Sequence, residues 1–222
     1  MKYTDISRSI EVKNLNQLTL LEFAFVHING RKVNEIKDGI LFSVIPVVLR
    51  EIGHAKENIY SDNFLPVSAV FTVLDQLGFC YSRNDMEPYE HSNASGIKKA
   101  LYYFCDFSPN DEDSKALVAL RNSFLHTASC LSKAMYDSQP NYNFSFDKNS
   151  DVLIRHPDVK WNGDFESLSE DMWTYINPII LIKLAEAAVE EALNCLYKGV
   201  LQVSCEGGGK ELRHRFLKFQ PK

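Results

Sequence analysis

Ser108-Pro109 opens the stretch that most constrains what this chain can fold into. Ser108 is a preferred N-cap, because a hydroxyl oxygen can accept from the unpaired amides of a first helical turn. Pro109 suits the first helical position, where no amide hydrogen is needed. Asp111, Glu112 and Asp113 then face the positive end of the helix dipole. Leu117, Leu120, Phe124, Ala128 and Leu131 keep one apolar face to about residue 135. A helix of that kind needs other elements to bury its stripe, and the remaining sequence offers mostly helices.

Val33 to Asn58 reads as a helix, with Val33, Ile36, Ile40, Val44, Val47 and Val48 at helical spacing and Pro46 kinking or splitting it. Asn63 to Tyr81 reads as a second, with the stripe Val67, Val70, Phe71, Leu74 and Leu77, and Pro66 in its first turn. Ser82 to Asn93 is a polar loop, and Ser95 to Asp106 a third helix. Asn177-Pro178 opens a long closing helix to about Leu201, after a short helix that Ser167 and Glu170 cap. Leu15 to Ile28 fits either a helix or a buried strand, and Asn29-Gly30-Arg31 is a turn. Tyr142, Phe144 and Phe146 alternate onto one face, and Asp151 to His156 returns after a turn at Lys148-Asn149-Ser150, which predicts a hairpin. The expected fold is therefore mainly α, a bundle of about five or six helices with a small β-hairpin inserted near 141–156. Residues 1–206 form one domain in this reading, with 1–32 an N-terminal elaboration. Gly207-Gly208-Gly209 separates a flexible tail, 207–222, that carries a net +4 in a chain of net −5.

That negative balance leaves no general field for a polyanion, so nucleic-acid binding requires a local patch. Lys210, Arg213, Arg215 and Lys218 of the tail are one candidate. Five cysteines without C-x-x-C spacing argue against a disulfide framework or a zinc ribbon. The N-terminal residues 1–13 are polar, and the longest apolar run, Ile40 to Leu49, has about half the length of a membrane span. A cytoplasmic protein with no membrane association is expected.

Chemistry concentrates in Arg121-Asn122-Ser123-Phe124-Leu125-His126. On a helix Asn122 and His126 stack one turn apart, and Arg121 reaches across from the side. This segment resembles the HEPN family (higher eukaryotes and prokaryotes nucleotide-binding), whose helical bundles carry an Arg, often a following Asn, and a His after four to six intervening residues. The order of helices from about residue 33 to 201 is also similar. The resemblance implies a homodimer whose two motifs share one cleft and cleave RNA without a metal or other cofactor. It gives His126 acid–base work on the 2′-hydroxyl or the leaving oxygen, Arg121 the stabilisation of phosphate charge, and Asn122 an orienting role. It further implies a toxin or antiviral defence effector, with an antitoxin protein as a candidate partner. The second expectation is an inactive relative that dimerises or binds a nucleotide.

Other constellations read as structural. Ser95-Gly96-Ile97-Lys98 matches S-x-x-K but lacks its partner motifs, and Gly207-Gly208-Gly209-Lys210-Glu211 lacks the spacing of a P-loop. Asp85, Glu87, Glu90 and His91 form an acidic loop, Glu186 and Glu190 a solvated face, and Arg50 with His54 a surface pair.

Overall fold

A computed structural model describes residues 3–56, 63–135 and 139–222. Its helical core is built on α4, Phe64–Cys80, the second of the expected helices. Val67, Val70, Phe71, Val73, Leu74 and Leu77 are all buried, so this helix meets neighbours around most of its circumference. Those neighbours are α3 (Ile45–Lys56), α5 (Gly96–Phe104), α6 (Glu112–Thr127) and α7 (Pro178–Lys198). Helix α7 starts where expected, because the Asn177 side chain accepts from the amides of Ile179 and Ile180 at 2.8 and 3.1 Å. It ends at Gly199, which takes the left-handed conformation with φ +78°.

Helices α4 and α5 approach very closely. A Cβ on Gly78 would lie 1.9 Å from the carbonyl oxygen of Gly96, and one on Gly96 would lie 2.1 Å from that of Asp75. Only glycine at both positions allows this crossing.

The mainly α expectation is overturned by the β content. Among the described residues there are eight α-helices and nine strands, the strands grouped in three sheets. The first sheet replaces half of the predicted helix 33–58. Strands β1 (Val33–Ile36) and β2 (Gly39–Ser43) form a hairpin, and α3 begins only at Ile45. Pro46 thus sits in a first turn, where it is tolerated, and kinks nothing. The expected end of that helix, 57–58, lies outside the described residues. Apolar residues at positions 33, 36 and 40 fit a helical period, but a strand partner from the far end of the chain decided the outcome. That partner is β9, Leu217–Pro221, which pairs antiparallel with β2 from Ser43↔Leu217 to Gly39↔Pro221.

The expected flexible tail is therefore folded. Gly208–Phe216 form α8, which packs on α2 (Leu20–Ile28), and β9 follows. The N-terminal segment is equally integrated. Helix α1 covers Tyr3–Glu11, and α2 is buried from Glu22 to Ile28. At its centre His27 is fully buried, with Nδ1 2.7 Å from the Tyr81 hydroxyl and Nε2 2.9 Å from the Gln76 amide nitrogen. Since the amide donates, Nε2 holds the lone pair and the ring proton lies on Nδ1. Burial depresses the pKa of His27 to about 3.

The second sheet is the pair β3 (Tyr81–Arg83) and β8 (Leu201–Val203), which joins the ends of α4 and α7. The third corrects the predicted hairpin at 141–156. Strands β5 (Tyr142–Phe146) and β6 (Ile154–Arg155) do not pair with each other; both flank β7, Trp173–Ile176. The sheet order is β4-β5-β7-β6, with β4 at Leu131–Ser132 and β5 parallel to β7. Asn177 holds β7 between them, because its amide donates to the Ser150 carbonyl at 2.6 Å and its backbone N–H to that of Leu153 at 2.9 Å. The short helix expected after Ser167 is two 3-10 turns, Phe165–Ser167 and Glu170–Met172, leading into β7.

Candidate functional site

Helix α6 begins three residues later than expected. Asp111 is its N-cap, and its carboxylate accepts from the Ser108 amide rather than from the helix. The helix also stops early, at Thr127, instead of running to residue 135. Ala128 takes φ +52°, and its N–H reaches the Phe124 carbonyl at 3.0 Å. This is the left-handed helix cap, made with Ala in place of the usual Gly. The Ser129 N–H closes the turn on the Ser123 carbonyl at 3.2 Å. His126 consequently lies in the last turn, beside the chain reversal into β4.

Leu117, Leu120 and Phe124 are buried and anchor one side of α6 against the core. The opposite side carries Asn122 and His126, both exposed. Arg121 lies between the two sides, its side chain 20% exposed. Its guanidinium draws the three residues together: Nη1 donates to Asn122 Oδ1 at 3.0 Å and lies 3.4 Å from His126 Nε2. A guanidinium can only donate, so in this contact Nε2 offers its lone pair and the imidazole proton sits on Nδ1.

Asp75 on α4 is the residue that the sequence did not point to. Its Oδ2 accepts from Arg121 Nε at 2.7 Å, and its Oδ1 from the Ile97 amide at 2.9 Å. One carboxylate thereby ties the arginine to the first turn of α5, across the glycine-permitted crossing. The available clue was indirect: a cation at the edge of a core helix wants an acidic partner on a neighbouring helix. Arg121 Nη2 and the Asn122 NH2 keep no partner among the described residues, so two donors face outward beside an imidazole. Asn122 also lines a cleft of about 670 Å³ between α5, α6 and the β4–β5 edge of the third sheet.

The other sequence candidates separate from this site. Lys210, Arg213 and Arg215 lie on α8 and Lys218 on β9, and none lines the cleft. Arg215 pairs with Glu211 at 3.1 Å and stacks over Phe79 at 4.9 Å. Arg83 occupies Asp85 with two bonds of 2.9 Å and reaches Glu191 at 3.2 Å, and its guanidinium lowers the Asp85 pKa. Arg50 and His54 are exposed on α3, away from the cleft lining. All five cysteines are free thiols. Among the described residues no helix is long and apolar enough to cross a membrane.

Comparison with known protein families, curated proteins and solved structures finds no match.

Proposed function

We propose that this chain is a HEPN-like endoribonuclease that acts without a metal cofactor, through Arg121, Asn122 and His126. One observation carries the reading: a single guanidinium holds an amide at 3.0 Å and an imidazole at 3.4 Å on an open face of α6. RNA supplies its own nucleophile. The 2′-oxygen attacks the neighbouring phosphorus, its proton leaves to a base, and the P–O bond to the 5′-oxygen breaks as that oxygen takes up a proton. The products are a 2′,3′-cyclic phosphate and a 5′-hydroxyl. The contact from Arg121 to His126 Nε2 is long, at 3.4 Å, so a substrate 2′-hydroxyl can displace it and give its proton to Nε2, and the protonated ring can return one to the leaving oxygen. Arg121 Nη2 and the Asn122 amide face the phosphate oxygens, where charge grows in the transition state.

A homodimer with the two motifs in one cleft belongs to the proposal. Beside the motif, Leu125 is 38% exposed, and Phe64, whose ring lies 4.9 Å from that of Phe124, is exposed as well. Apolar groups flanking a polar site suit a second copy. Growth arrest, as a toxin or a defence effector held in check by an antitoxin protein, is the matching biological role.

The decisive experiment is cleavage of a labelled RNA by purified protein in EDTA. Arg121→Ala and His126→Ala should each lower the rate at least a hundredfold with unchanged circular dichroism, and the products should carry the cyclic phosphate. No cleavage by the parent chain, or equal cleavage by both variants, removes the enzyme reading. The Asp75–Arg121 ion pair favours a second reading, since it already satisfies part of the arginine charge. In that reading the motif grips a nucleotide phosphate without chemistry. Overexpression separates the two: the enzyme arrests growth and its His126→Ala form does not, whereas a binding module is tolerated equally in both forms.

A further inference from the structure

The cleft that starts at Asn122 runs along α6 away from His126, and its lining is unlike the rest of this acidic chain. Lys98 at the start of α5, Lys115 on α6, Lys133 after β4 and Lys160 all border it, and among the described residues one carboxylate, Glu112, lines it with them. In a chain of net charge −5, the described lining residues carry an excess of three positive charges. Lys160 is paired with Glu112, and Lys133 lies over the Phe165 ring at 5.1 Å. Lys98 and Lys115 are exposed and make no ion pair among the described residues.

The lysines are in register with the motif. Lys115, Val118, Asn122 and His126 recur at intervals of three and four and so occupy one face of α6. Eleven residues separate Lys115 from His126, about 16 Å of helix. Half-buried Val118 and Ala119 form the floor between them. At the end of the cleft near Glu112, Tyr142 is 6% exposed, and its buried hydroxyl has no hydrogen-bond partner among the described residues. Burial, reinforced by Glu112 and Asp113, pushes the Tyr142 phenol up to about 12, so it stays a donor at neutral pH. A buried donor left unsatisfied is costly, and an acceptor entering the cleft would relieve that cost.

We propose that this cleft is the track for single-stranded RNA flanking the scissile phosphate. Lys98, Lys115 and Lys133 neutralise successive backbone phosphates, and Tyr142 donates to an acceptor on the bound strand. The proposal rests on the ribonuclease reading for the identity of the ligand, and it locates the strand on α6 rather than on the basic C-terminal segment.

Binding is measured by fluorescence anisotropy with a labelled single-stranded RNA oligonucleotide, using full-length His126→Ala protein so that nothing is cut. Lys98→Ala with Lys115→Ala is expected to weaken affinity at least tenfold at low salt. It should also flatten the plot of log affinity against log salt by about 0.7 per lysine. Tyr142→Phe should weaken binding about threefold with no loss of thermal stability, because its hydroxyl has no hydrogen-bond partner among the described residues. The control is Lys210→Ala with Lys218→Ala, which removes two charges from the C-terminal segment and should bind like the parent. If the cleft variants keep the parent's affinity and salt slope, the track is wrong even where the parent chain cuts RNA. If a mononucleotide binds as tightly as the oligonucleotide, the occupant is a free nucleotide and the track is equally wrong. Binding that depends on the cleft lysines in a chain that cuts no RNA keeps the track and removes the nuclease.

Discussion

Asp75 holds the motif arginine and the first turn of α5 with the two oxygens of one carboxylate. Asp75→Asn keeps an acceptor for the Ile97 amide but sets an NH2 donor against the Arg121 Nε–H, so the attraction is lost and two donors face each other. The pair is partly exposed, so the loss of stability should stay within about 1 kcal/mol in a urea titration. Cleavage should nevertheless fall about tenfold, since a loosely held guanidinium forfeits roughly 1.4 kcal/mol of transition-state stabilisation. An unchanged rate would show that Arg121 does not depend on this carboxylate. His27 makes a different prediction. Its folded pKa of about 3 lies below the usual 6.5, so the unfolded chain binds the extra proton between those values. Its contribution is complete above pH 6.5 and is lost as pH falls toward 3, with a slope approaching 1.4 kcal/mol per pH unit. Urea titrations from pH 7 to pH 4 test this: His27→Gln should be less stable at pH 7 and show a flatter dependence.

Two elements depend on backbone geometry that single substitutions can probe. A methyl group at Gly96 would meet the Asp75 backbone at 2.1 Å, so the α4–α5 crossing cannot absorb it. Gly96→Ala should cost about 3 kcal/mol or more, lowering Tm by roughly 6 °C or beyond. Gly53 in α3 has nothing within 4 Å of its added Cβ, and Gly53→Ala should instead stabilise by about 0.5–1 kcal/mol. The end of α6 gives the opposite case, because Ala128 holds φ +52°. Ala128→Gly should gain about 1 kcal/mol by removing the Cβ strain. Thermal melts of the three variants, with Gly96→Ala expected to fall and Gly53→Ala and Ala128→Gly to rise, check the close crossing and the helix geometry together.

At the scale of the molecule, the two ends of the chain stabilise one sheet. Deleting residues 207–222 removes α8 and β9, bares the edge of β2, and uncovers the His27 ring, which stacks on Phe216 at 5.5 Å. A flexible tail could be cut without effect; this deletion should instead lower Tm by more than about 10 °C or leave the protein insoluble, because an open strand edge invites association. Legibility in the sequence follows this same division. Helices α4, α5 and α7 are readable because each is a continuous stretch rich in apolar residues between polar ends, with local signals such as Asn177 and Pro178. Val33 to Ser43 misleads because so short an apolar run fits both periods, and the choice rests on a strand at the other end of the chain. Trp173 to Ile176 gives no strand signal for the same reason, since its partners come from two separate segments.

The sequence by itself determined the core helices and the spacing that stacks Asn122 and His126 one turn apart, because both follow from the local period of a helix. Only the tertiary structure decided that Asp75 pins Arg121, that four lysines from separate elements border one cleft, and that the basic C-terminus closes a sheet. Those relations join residues distant along the chain, and no local pattern records which distant groups folding will bring within a few ångströms.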